Sequence, residues 1–265
     1  MELEKLNLSL RESKEKFAEE FPAVVYKYRI WEDLWHQRIL TEREVYFAHP
    51  DMLNDPEDCN RLVRYDLLKP EEQREWVRNG LRKLHSKWNA LAIAREADRV
   101  LSRPHFDLKK LGSDRLREIR SKIGVFSVSE HRDIPDQWED YANSHKGFCV
   151  GFDTMIVREI SQSTVGFVQY LPSPLPDLAP SLDPENGFLF DIIEQTYVKT
   201  RRWQVEAEIR FRKLPIASNG QRAVRLPPKA FREVILGKNI SAEHEKEIRQ
   251  ILSDPTLTHV EVTKH

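Results

Sequence analysis

Cysteine and glycine are scarce in this chain. Of its 265 residues only Cys59 and Cys149 are cysteines, and 9 are glycines. Two isolated thiols make no metal-type or redox-type pair, which fits a reducing cytoplasm. There is no G-x-G-x-x-G, no G-x-x-x-x-G-K-[ST] and no H-E-x-x-H, which argues against glycine-lined phosphate loops and the common zinc hydrolases. No apolar run approaches the ~20 residues a membrane helix needs. The opening MELEKLNLSLRESKEKFAEE lacks the apolar core of a secretory signal. Neither charge is in excess, with 42 Lys plus Arg against 43 Asp plus Glu. A global basic surface for duplex nucleic acid is therefore absent, and a local patch stays open.

What is present suits a globular protein with a heavily charged surface, 40% hydrophobic and 32% charged. The length is enough to bury a core, in one large domain or two small ones. Residues 1–22 read as a charged helix or tail, and 23–265 as a single α+β domain. AVVYKYR (23–29) and EVYFA (44–48) read as strands rich in β-formers, flanking a helix in WEDLWHQRIL (31–40). HPDMLNDPED (49–58) is full of turn formers. From Lys69 to Leu101 the pattern is helical, with Val77, Leu81, Leu84, Trp88 and Leu91 in one stripe. A second helical piece spans about 107–122. These helices read as an insertion of about 66–122.

Further on, IGVFSVS (123–129), FCVGF (148–152), VGFVQY (165–170), REVILG (232–237) and THVEVTKH (258–265) read as strands. DQWEDYANSHK (136–146) reads as a helix capped by Gly147. Residues 171–184 carry five prolines and read as a loop. Helices are expected over 186–200 and 242–252. There is no internal repeat. Strands outnumber β-α-β units, which favours mixed α+β with antiparallel sheets over a doubly wound fold.

Five groups of residues are candidates for chemistry. Read as a strand, WQVEAEIRF (203–211) puts Glu206 and Glu208 on one face with Arg210 and Arg212, and Val205, Ala207, Ile209 and Phe211 on the other. That face is either solvated, with the arginines pairing the acids, or a carboxylate pair beside a reacting sugar or metal. On 26–29, Lys27 and Arg29 share a face, and Arg29 suits a bidentate grip on a diphosphate. Ser127 and Ser129 put two hydroxyls on one side of a strand. Trp138, Tyr141, Ala142 and His145 form a helical stripe that packs a core more often than it binds a ligand. The acidic turn Asn54-Asp55-Pro56, with Glu57 and Asp58, is a plain turn or an oxygen-ligand cation site.

Taken in order, YKYR, YFA, NDPED, FSVSE, WEDYANSHKGFCVGF and KTRRWQVEAEIR resemble the bacterial family filed as domain of unknown function 2971, over roughly residues 24–240. The same order resembles, more distantly, the ADP-ribosyltransferase fold. There an early strand carries Arg or His, a middle strand Tyr or Ser-x-Ser, and a late strand Glu-x-Glu. The resemblance implies a split pair of antiparallel sheets with NAD, as substrate, in the cleft. Arg29 would clamp the diphosphate, with Tyr46, or Ser127 and Ser129, orienting the sugar. Glu208 would stabilise the cationic ribose and Glu206 would activate an acceptor: protein, nucleic acid, small molecule or water. The implied setting is a bacterial cytoplasm, in a toxin or phage-defence role, with no metal and no membrane. Two alternatives stand beside it. One is a nucleotide-sensing module without chemistry. The other is a metal-dependent hydrolase or nuclease using Asp55, Asp58, Glu206 and Glu208.

Overall fold

The computed structural model describes residues 15–103, 106–183 and 187–265. Its strands are β1 (Val24–Arg29), β2 (Glu44–Tyr46), β3 (Gly124–Ser129), β4 (Phe148–Asp153), β5 (Thr164–Phe167), β6 (Gln169–Leu171), β7 (Val198–Thr200), β8 (Glu208–Lys213), β9 (Ala223–Arg225), β10 (Phe231–Leu236) and β11 (Glu261–Lys264). The architecture is mixed α+β, with one seven-stranded sheet and two two-stranded sheets. Two compact units divide the chain. The first takes residues up to 48, 124–168 and 202–265; the second takes 49–123 and 169–201. The helical insertion expected at about 66–122 lies in the second unit. Of the N-terminal segment expected at 1–22, residues 1–14 lie outside the described residues, while 15–20 are helical and present Phe17 and Phe21 to buried positions.

In the first unit the large sheet runs β11-β10-β4-β1-β3-β8-β5. Only β10 and β11 pair in parallel. Alternation along these strands fixes two faces. Val25, Phe126, Phe148, Phe152, Ile209, Phe211 and Phe231 belong to the main core on one face. Tyr28, Cys149 and Ile235 pack with Trp138 and Ala142 on the other. Each large side chain so buried contributes about 1.5–3 kcal/mol. Aromatic and β-branched residues at these positions are what a two-sided sheet demands.

The second unit is mainly helical. Its Pro70–Leu84, Ala90–Leu101 and Leu108–Lys122 helices have clear local causes. Pro70 opens the first, and Glu72 reaches back to the Lys69 amide at 2.8 Å. Asn89 caps the second, accepting from the Ala92 amide at 2.9 Å. Asp107 caps the third. The expected continuous pattern from 69 to 101 is thus broken between His85 and Asn89. The stripe breaks with it: Val77 is buried, but Leu84, Trp88 and Leu91 are exposed. Strands β6 and β7 pair in parallel, and Val63, Tyr65 and Leu178 form a small core. No described helix is long and apolar enough to cross a membrane.

Candidate functional site

Strand β1 leaves β3 after one register pair. Tyr26 faces Ser129, whereas β1 pairs with β4, and β3 with β8, along six positions each. At the far end of β3, Ala48 takes the place β1 has vacated: its amide donates to the Val125 carbonyl at 2.8 Å and the Val125 amide returns the bond at 3.0 Å. Residues 125, 127 and 129 turn their polar backbone to the same side. Ser127 therefore faces the gap between the two pairings. The Lys27 ammonium fills part of it, donating to the Ser127 carbonyl at 2.6 Å.

Arg29 ends β1 at this gap. It is half-buried, and among the described residues its guanidinium makes no hydrogen bond or ion pair. Burial pulls its pKa down to about 10, opposed by the charge of Asp33 and then by Tyr141. His36, on the Leu34–Thr41 helix, accepts the Ile30 amide through Nδ1 at 3.4 Å. Burial first, then the positive charges of Arg29 and Lys27, bring His36 down to about 4 against the pull of Asp33. It is neutral at pH 7. The Ser127 hydroxyl likewise has no partner among the described residues.

The carboxylates depart from the sequence reading. Residues 201–206 form a 3-10 turn, Ala207 has φ 43°, and β8 begins only at Glu208. Glu206 and Glu208 therefore do not share a strand pleat: the left-handed residue between them kinks the chain. Nor is their face solvated. Both acids are buried, as are Arg210 and Arg212. Arg210 holds Glu208 with two bonds, Nε to Oε1 at 2.6 Å and a terminal nitrogen to Oε2 at 3.2 Å. Glu206 accepts from the Tyr141 hydroxyl at 2.7 Å, and its carbonyl accepts from Ser129 Oγ at 2.8 Å.

The register also separates two residues expected to face one cleft. Tyr26, Ser129 and Glu208 stand opposite one another on three adjacent strands and so share a face. Arg29, three residues beyond Tyr26, projects to the other face, because an odd offset along a strand reverses direction. Ser127 and Ser129 stay with Glu208. Asp33 is the acid whose charge acts most on Arg29; Tyr141, which acts on it less, donates to Glu206. Tyr46 lies on the two-stranded β2–β9 sheet, where it acts on Arg222.

Trp138 is fully buried. It packs edge-on against Tyr28, with centroids 5.2 Å apart, and His145 stacks on it at 5.4 Å. The helix carrying it is shorter than its stripe, Pro135–Asp140. Asn143, Ser144 and His145 follow with φ of 49°, 52° and 63°, three left-handed residues in a row. Such strain survives only where the surroundings fix it. Here the Asn239 amide holds the His145 carbonyl at 2.9 Å, and the Gly237 amide holds that of Gly147 at 2.9 Å. Gly147 does not supply a left-handed cap. It is glycine because a Cβ there would collide with the Arg29 carbonyl. The WEDYANSHKG segment is thus the mount of Arg29 and Tyr141, a role the helical stripe could not reveal.

In the second unit Asp55 and Asp58 are buried too. Asp55 accepts from the Thr200 hydroxyl and the Glu57 amide, both at 3.1 Å, and Asp58 accepts from the Cys59 thiol at 3.4 Å. Among the described residues, no group of three or more His, Cys, Asp or Glu side chains is placed to hold a metal ion. This unit also contains a cavity of about 390 Å3, lined in part by Tyr65, Trp76, Arg115 and Asp191. None of the residues singled out in the sequence lines it.

Comparison with protein-family models, with curated proteins and with solved structures gave no match.

Proposed function

We propose that the first unit binds the diphosphate of a nucleotide at Arg29, and that the nucleotide is NAD, cleaved with transfer of ADP-ribose to an acceptor or to water. One observation carries this reading: a half-buried guanidinium that makes no hydrogen bond or ion pair among the described residues. A desolvated cation that no carboxylate contacts directly costs free energy that a bound phosphate recovers. The interrupted β1–β3 junction, with Arg29 at the end of β1 beside it, supports a split-sheet cleft. Roles differ from those the resemblance implied. Glu208, neutralised by Arg210, props β8. Glu206, linked through Tyr141 to the Arg29 side, is the carboxylate assigned to the cationic ribose.

Titration calorimetry with ADP-ribose and a nicotinamide-release assay with NAD test this together. Arg29→Ala weakens ADP-ribose binding by roughly 10- to 100-fold, the scale of a hydrogen bond to a charged group. Glu206→Gln lowers nicotinamide release by roughly 10²-fold while binding changes little. A bound diphosphate also raises the His36 pKa from about 4, because it offsets the charge of Arg29. Folded protein that binds neither NAD nor ADP-ribose overturns the proposal. A second reading, a nucleotide sensor without chemistry, draws support from the engagement of both carboxylates by other side chains. It predicts the same binding and no nicotinamide release.

A further inference from the structure

The turn joining the Pro70–Leu84 and Ala90–Leu101 helices exposes what a folded chain ordinarily covers. Leu84 is 77% exposed, Trp88 44% and Leu91 61%. From Trp76 to Arg95 the sequence has five Lys or Arg and no Asp or Glu. Arg78 and Arg82 are answered by Glu75, at 3.7 and 2.7 Å. Lys83, Lys87 and Arg95 are exposed and make no hydrogen bond or ion pair among the described residues.

We propose that this hairpin tip docks on a membrane surface bearing anionic lipid headgroups. Three features select that occupant. The tip is a turn between two helices that pack on each other, and its exposed side chains suit insertion into a soft interface better than the grooves that protein partners use. Its uncompensated charge is positive, so a second copy of the same tip is repelled. Its apolar groups are two aliphatic side chains and a Trp, the set that enters the headgroup boundary while lysines stay at the phosphate level. Single-stranded nucleic acid fits less well. It needs open aromatic faces, and one face of Trp88 is already covered by His85, stacked at 4.0 Å and 8°. It also gains nothing from Leu84 and Leu91.

Sedimentation of the full chain with vesicles tests the inference. Vesicles mixing phosphatidylserine with phosphatidylcholine should carry the protein down, and phosphatidylcholine alone should not. Raising the salt should weaken the binding. Lys83→Gln and Lys87→Gln should each lower the partition by roughly 5-fold. Leu84→Ser/Trp88→Ser/Leu91→Ser, all at exposed positions, should abolish it while leaving the circular dichroism and melting curve unchanged. Failure of the wild type to sediment with phosphatidylserine vesicles overturns the inference. So does a triple variant that still sediments, or tighter binding to a single-stranded oligonucleotide than to vesicles.

Discussion

Glu208 in the first unit and Asp55 in the second are both buried carboxylates, 5% and 2% exposed. Their partners at Arg210 and Thr200 differ in kind. Glu208 is gripped by the Arg210 guanidinium, which can only donate. Asp55 is bonded by a backbone amide and by the Thr200 hydroxyl, which can donate or accept. The lesson concerns what an amide substitution does at each place. At position 208 the new NH2 faces a guanidinium that cannot turn into an acceptor, and buried Arg210 loses the charge of its bidentate partner. At position 55 the threonine can rotate to receive it. Equal burial therefore gives no measure of how firmly each site demands a negative charge.

The largest effect expected from this contrast is at the Glu208–Arg210 pair. Glu208→Gln should lower unfolding free energy by about 3–5 kcal/mol in chemical denaturation. Next comes Tyr141→Phe, which removes a hydrogen bond to a carboxylate and should cost about 1.5–3 kcal/mol by the same measurement. Asp55→Asn should cost less than Glu208→Gln, because the Thr200 hydroxyl can accept from the new amide. If it costs as much as Glu208→Gln, the distinction between the two kinds of partner fails.

The smallest effect is in pH. His36 titrates near 4 in the fold against 6.5 unperturbed, so the unfolded chain binds its proton first. Its contribution to stability is present above about pH 6.5 and is lost as pH falls toward 4. Denaturation midpoints measured across that window should decline in the wild type, and less steeply in His36→Gln.

Sequence periodicity made much of the first unit legible. The strand in 123–129 and the helix over 242–252 appear at or close to their expected bounds, because alternation and a 3.6-residue stripe are signals written in the chain itself. The burial of Trp138 was legible for the same reason. Backbone reversals were not. Ala207 and the Asn143–His145 run take left-handed φ with no glycine to announce it, since long-range contacts such as the Asn239 bond to the His145 carbonyl impose them. VGFVQY reads as one strand but divides at Val168 into β5, paired with β8, and β6, paired with β7. Arg29 was legible as a candidate cation from strand phase. That it would stand on the opposite face from Glu208 was not, because phase on one strand says nothing of the register between strands.

The interleaving of the two units has a consequence for synthesis. The chain passes between them at positions 48/49, 123/124, 168/169 and 201/202. Everything the second unit needs has been made once residue 201 has emerged, while β8, β10 and β11 have yet to leave the ribosome. Until then β3 and β4 stand as strands with unpaired edges, open to wrong partners for the several seconds that residues 202–265 take at roughly 5–20 residues per second. The residues of the helical unit are complete first. The sheet whose β1 carries Arg29 is assembled last.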